Sequence, residues 1–397
     1  MAGLSERMVA LGSARSEIRE AFAFAQARAA VVGPENVDDF SIGNPSVPAP
    51  ETVAQAIRML LDTKNPVQLH GYTPAAGDAS ARQALAEDLN RRFGTKYTAD
   101  CFYLTAGAAA ALCCVLSALC CPGDEVVTIA PYFPEYKVFV ESAGAELKAV
   151  LAEPETFQID FDAFTAAINA QTKAVLINTP NNPTGVVYSA ENLQRLADVL
   201  TRKSQEFGHP IYLISDEPYR EIVYHEAPIT WLPDFYPNTL VCYSYSKVLS
   251  LPGQRLGYAL VPQSVTDDRR VYAGICGAGR ALGYICAPSL FQFTVAQCAG
   301  QTADLSVYRK NRDIFLPALR EMGYTCAQPD GAFYLFVKAL EPDAAAFCER
   351  AKKYDLILVS SDSFGCPGYV RVSYCVSTEQ IQRSLPKFRK LAEEYRK

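Results

Sequence analysis

Between residues 101 and 245 the chain alternates short apolar runs with longer stretches of helical character, and few folds accept that rhythm. The runs CFYLT, EVVTIA, KAVLIN, IYLIS and TLVCYSY end at Thr105, Ala130, Asn178, Ser215 and Tyr245. Their apolar, β-branched and aromatic content suits buried strands. Helical stretches such as 190–207 lie between most of them. Strands alternating with helices predict an α/β fold with a mainly parallel sheet flanked by helices. Before this region, helices are expected over 16–32, stopping at Gly33-Pro34, from about Glu51, and over 78–93, ending at Gly94. After about residue 290 the pattern changes. A long helical stretch, 290–322, leads to GAFYLFVKA, LILVSS and YVRVSYCV, and a charged helix starts at Thr378. The 397 residues leave room for two or three domains. We expect a large domain over 46–290 and a smaller α+β domain from 1–45 and 291–397, since chain ends often come together.

Charge and cysteine usage narrow the partners. A net charge of −6 argues against nucleic acid or an anionic membrane. Glu6, Arg7, Glu17 and Arg19 interrupt any signal-like start, so a cytoplasmic protein is expected. The longest apolar run, 108–121, is too short to span a bilayer and reads as a buried helix. The 13 cysteines include no C-x-x-C and keep company with only three histidines, which speaks against zinc or a disulfide framework. Buried thiols in a reducing compartment account for them better. His70, His209 and His225 are read as structural.

In an open parallel sheet, ligands sit beyond the carboxyl ends of the strands, so the residues following each run carry the chemistry. After CFYLT, residues Ala106, Gly107 and Ala108 open a helix, whose free N–H groups suit a phosphate. PYFPEY follows EVVTIA and offers an aromatic plane. TPNNPTG follows KAVLIN with Asn181 and Asn182; DEPY follows IYLIS with Asp216 and Tyr219. Lys247 closes TLVCYSYSK. Asn182, Asp216 and Lys247 are 34 and 31 residues apart, each interval fitting one strand–helix–strand unit, so all three can reach one crevice. A lone lysine preceded by hydroxyls and followed by Arg255 suits a Schiff base with an aldehyde cofactor whose phosphate the hydroxyls and guanidinium hold. Plainer readings exist for each residue. Lys247 suits an exposed loop, Asn182 a turn, Asp216 a helix cap, Tyr72 and Phe133 core packing, and Arg371 a solvent-facing strand position.

NNPTG, DEPY and SYSK…GQRLGY, in this order and spacing, resemble the class I aminotransferases, the fold-type-I family that uses pyridoxal phosphate. The resemblance runs from GNP at Gly43 to the arginine of YVRVSY. It implies a large cofactor-binding domain and pyridoxal 5′-phosphate held on Lys247, which would also shuttle the substrate proton. Asp216 would pair with the pyridine nitrogen, while Asn182 and Tyr219 would donate to the phenolate oxygen. Ser244, Ser246, Arg255 and the amides of Gly107 and Ala108 would bind phosphate, and Phe133 would stack on the ring. Tyr72 would reach the phosphate of a neighbouring subunit, which implies a homodimer. Arg371 would clamp the substrate carboxylate beside Gly43, Asn44 and Asn182. The implied reaction moves an amino group between an amino acid and a 2-oxo acid, ping-pong, through pyridoxamine phosphate. Two rivals share these residues: a C–S lyase on the same scaffold and a non-catalytic cofactor-binding regulator. The chain departs from the family at Ala106 and Ala108–Ala110, where relatives carry phosphate-binding side chains, so weaker cofactor retention is expected. Ala109 stands where one aspartate-using subgroup has lysine; Arg280 is a candidate for the arginine another subgroup takes from its partner.

Overall fold

The computed structural model describes residues 3–13, 16–224 and 229–396; His225 lies outside the described residues. Seven strands form one sheet: β1 (Phe102–Thr105), β2 (Glu125–Ala130), β3 (Glu146–Leu151), β4 (Thr172–Asn178), β5 (Tyr212–Asp216), β6 (Thr239–Ser244) and β7 (Gly257–Leu260). Their order is β1-β7-β6-β5-β4-β2-β3. All neighbours are parallel except β7, which is antiparallel to both β1 and β6. The expected α/β architecture is therefore present, with two strands that the apolar runs do not reveal. One is β3, an edge strand whose ELKAVL is largely solvent-facing; the other is β7, hidden inside GQRLGY.

Alternate residues of the central strands face two cores, which is why these strands read as nearly unbroken apolar runs. Val126, Ala174, Leu176, Ile214 and Cys242 pack beneath the helices Ala108–Leu119 and Asp268–Ala281. On the other face, Val127, Val175, Ile177 and Leu213 pack against Ala190–Phe207 and Phe161–Ala167. Val241, Tyr243 and Leu260 meet the helices Glu51–Thr63 and Ala79–Phe93. The register aligns strand ends along one edge, with Asn178 opposite Asp216, Asp216 opposite Cys242, and Gly257 between Thr105 and Ser244.

The C-terminal part carries a three-stranded antiparallel sheet in which Tyr369–Ser373 lies between Val359–Ser360 and Tyr334–Lys338. Asp38–Asp39 pairs in parallel with Leu356–Ile357, tying the N-terminal segment to this region. The helix expected over 290–322 is instead two, Ser289–Gln297 and Ser306–Glu321. Gly300 in the left-handed region (φ +77°) turns the chain between them, and Asp304 accepts from the Ser306 N–H at 3.1 Å to start the second. Elsewhere the expected stops hold: Glu17–Val32 ends at Gly33 and Ala79–Phe93 at Gly94, both at positive φ. No helix among the described residues is long and apolar enough to cross a membrane.

Candidate active site

The strand ends converge on a cavity of about 290 Å³. All the site residues named from sequence line it except Gly107, Asn44 and Tyr72. Lys247 reaches it because β6 ends one residue earlier than the apolar run implies. Ser244 Oγ accepts from the Ser246 N–H at 3.2 Å and caps a single turn, Tyr245–Val248, that turns Lys247 inward. Lys247 Nζ donates to the Gly43 carbonyl at 2.5 Å. Burial pulls its ammonium down to about 8; the charges of Arg371 and Arg255 act the same way, and the Cys375 thiol opposes them.

At one end of the cavity the groups suit an anion. Ser244 Oγ and Ser246 Oγ lie 2.7 Å apart. Arg255 donates to Ser246 Oγ at 3.3 Å and to the Ala106 carbonyl at 3.2 Å. No side chain caps the start of Ala108–Leu119, leaving that helix's N-terminal dipole and amides directed at the same place. Gly107 precedes it at φ +87°, and a Cβ there would stand 2.6 Å from the Arg255 guanidinium. Gly107 thus shapes the seat from behind, and not through its amide as expected, because that N–H donates to the Thr105 carbonyl at 2.8 Å.

Asp216 sits at the end of β5, 5% exposed. Tyr136 donates its hydroxyl to Oδ2 at 2.5 Å, while Oδ1 is buried without a partner. Burial pushes the carboxyl up to about 7, against the pull of the Tyr136 bond, with Glu217 adding to the rise. Asn178 fixes the surrounding loops, donating to the Asp216 carbonyl at 2.8 Å and accepting from the Asn182 N–H at 2.7 Å.

Opposite stands Arg371, 2% exposed, on the small sheet. It donates to Asn182 Oδ1 at 3.0 Å and to the Ser41 carbonyl at 2.6 Å, and its Nε has no partner. Its guanidinium lies 4.8 Å from the ring centre of Tyr334, whose hydroxyl is 2.8 Å from that of Tyr219. Burial pushes both phenols up, Tyr334 to about 12. Gly43 must be glycine here, because a Cβ would overlap the Tyr334 hydroxyl.

Three of the named residues lie outside this convergence or behind it: Gly107 as described, Asn44, which is exposed, and Tyr72, which is fully exposed beside Thr73 and Cys286. Arg280 is exposed near the end of its helix, His70 is exposed, and His209 faces the carbonyls of Pro210 and Ala170. The sequence reading missed Tyr136, Asn178, Tyr334 and Ser41. Two had a signal. Tyr136 follows Phe133 by three residues, and Asn178 is the polar residue that closes an apolar run. A larger groove of about 900 Å³, beside Phe93, Tyr188 and Trp231, gathers none of the named residues.

Comparison with known proteins agrees with this architecture. Residues 35–388 match the family described as aminotransferase class I and II. An aspartate/prephenate aminotransferase of Thermus thermophilus is 31% identical, covering 98% of both chains. A crystallised amino transferase of Eubacterium rectale is 56% identical over the whole of both chains, with a TM-score of 0.97. An aspartate aminotransferase of Thermus thermophilus, solved with maleate, is 28% identical over 98% of this chain and 100% of its own, with a TM-score of 0.86. The seven-stranded mixed sheet flanked by helices is the fold-type-I architecture. The chain belongs to the class I and II aminotransferase family, and its activity is amino-group transfer.

Proposed function

We propose that this protein binds pyridoxal 5′-phosphate in the cavity and exchanges an amino group between an amino acid and a 2-oxo acid in two half-reactions. The observation that carries this is Asp216 Oδ1: a buried carboxylate oxygen without a partner, in the same cavity as Lys247. An orphaned buried acceptor is costly unless a ligand donor meets it, and a pyridine N–H is such a donor. The hydroxyl–guanidinium–helix seat fits a phosphate ester equally well. When bound, this cofactor supplies an aldehyde for the substrate amine and a ring that accepts electrons released at Cα.

The chain's own groups do the rest. Ser244, Ser246, Arg255 and the amide of Ala108 hold phosphate, while Phe133 covers the ring face; the Gly107 amide, expected to join them, is taken by the Thr105 carbonyl at 2.8 Å. Tyr219 and Asn182 donate to the ring hydroxyl, and Tyr334 supports Tyr219 from behind. Arg371 donates to Asn182 Oδ1 and the Ser41 carbonyl and is paired with no carboxylate among the described residues, and a buried cation so placed suits the substrate's α-carboxylate beside Gly43 and Asn44. Lys247, its ammonium held near 8, keeps a share of neutral amine near neutral pH and can take and return the Cα proton. In this reading the sheet-bearing part, 46–290, holds the cofactor, and 1–45 with 291–397 carries the carboxylate clamp.

The same reading makes the protein a cytoplasmic homodimer. Tyr72 is fully exposed, with Val67 and Ile285 also exposed nearby in the chain or beside the same recess, an apolar surface that a second copy would cover. The cysteines are free, as a reducing compartment keeps them. The test uses cofactor-loaded protein and single amino acids without an oxo acid. One stoichiometric conversion of the cofactor spectrum, reversed by an oxo acid, is expected. Continuous release of ammonia and an oxo acid would instead mean a lyase.

A further inference from the structure

We infer that the amino donor taken by this site carries an uncharged, apolar side chain, and that Ile42 and Ile18 form the wall that selects it. This rests on the amino-transfer reading above and adds the substrate class. The backbone of residues 41–43 bridges the two groups that would anchor an amino acid. The Ser41 carbonyl accepts from Arg371, and the Gly43 carbonyl accepts from Lys247 Nζ. Ile42 spans the interval between them. An amino acid with its carboxylate at Arg371 and its amine at Lys247 sends its side chain from the carbon between those two groups. The residue spanning the two anchors is therefore the one that side chain meets.

Ile42 is 41% exposed and lines the cavity, as does Ile18 from the first turn of Glu17–Val32. The large-domain side adds Phe139 and the methyl group of Ala109. Charge points the same way. Three cations line the cavity among the described residues, and all three are engaged, Arg255 at the phosphate seat, Lys247 at the amine and Arg371 at the α-carboxylate. No fourth cation of this chain lines the cavity among the described residues. Two acids stand beside the wall, Asp39 accepting from Ser41 at 2.8 Å and 2.6 Å and Glu17 accepting from Ser363 at 2.8 Å, while Arg19, next to Ile18 in the chain, is exposed. A side-chain carboxylate there would lose water without gaining a cation, whereas leucine, methionine or phenylalanine would bury apolar surface.

The experiment measures the first half-reaction of the loaded protein, by cofactor absorbance, with leucine, methionine, phenylalanine, alanine, aspartate and glutamate. The expected result is a kcat/KM for the best apolar donor about 100-fold above that for aspartate. Ile42→Arg should invert the ratio toward aspartate by a similar factor while leaving alanine, whose methyl group barely meets the wall, within about threefold. That alanine rate separates lost selectivity from a damaged fold. Aspartate or glutamate as the best donor of the unaltered protein would overturn the inference and leave amino transfer standing. Failure of every amino acid to convert the cofactor would overturn the amino-transfer reading and this inference with it.

Discussion

Replacing Asp216 by asparagine should stabilise the cofactor-free protein at alkaline pH while disabling the loaded one. Burial raises the carboxyl from 3.8 to about 7. A folded-state value above the unfolded one means the folded chain binds the extra proton between those limits, so stability falls as pH rises through that window. Above about pH 7 the full cost applies: the gap between the two values, at about 1.4 kcal/mol per pH unit, comes to roughly 4 kcal/mol. Asparagine has nearly the same shape and no charge, and can still accept from Tyr136. The variant should therefore gain about 2–4 kcal/mol at pH 8 relative to the parent, and the difference should shrink by about 2–3 kcal/mol on going to pH 5. Denaturant midpoints of both cofactor-free proteins, at matched concentration across pH 5–8.5, measure this. A difference that does not change with pH, or a variant less stable at pH 8, would refute the reasoning. In the loaded protein the sign reverses. Asparagine cannot hold a protonated ring nitrogen, and kcat should fall by about 100-fold or more, a loss of about 3 kcal/mol of transition-state stabilisation.

Tyr136→Phe removes the bond to Asp216 Oδ2 that favours the ionised carboxylate. Activity should drop about tenfold, and the acid limb of kcat/KM should move to higher pH, which a pH–rate profile reads directly. Gly43→Ala drives a methyl group into the Tyr334 hydroxyl. It should cost about 1–3 kcal/mol of stability and raise KM through the displaced Arg371 and Lys247, as thermal melts and kinetics would report. Ala108→Ser places a hydroxyl at the phosphate seat and should tighten cofactor Kd by about three- to tenfold; an unchanged Kd in apoprotein titration would count against weak retention as a consequence of the alanines.

The parts of the site that could be read from sequence share a physical reason. In a parallel sheet every strand delivers its last residues to one edge, so Asn182, Asp216 and Lys247 meet wherever the connections are regular. Tyr136 reaches Asp216 from a helix, and Tyr334 reaches Tyr219 from another sheet. Such contacts depend on how elements pack: the spacing of Tyr136 from Phe133 places it near the site but does not name its partner, and Tyr334 has no local pattern at all. The same holds for Ser41, whose carbonyl meets Arg371 across most of the chain. β3 escaped notice because an exposed edge strand needs no apolar run, and β7 because a turn motif leads straight into it. The break in 290–322 was written in Gly300 and Asp304, yet helical periodicity on both sides obscured it.

Lys247 is the residue proposed to carry the cofactor. Borohydride reduction of the loaded protein, followed by digestion and peptide mass mapping, tests it without reference to turnover. A reduced pyridoxyl adduct on Lys247 alone, absent after Lys247→Ala, is the predicted result. An adduct on another lysine, or loaded protein that yields none, would contradict the account.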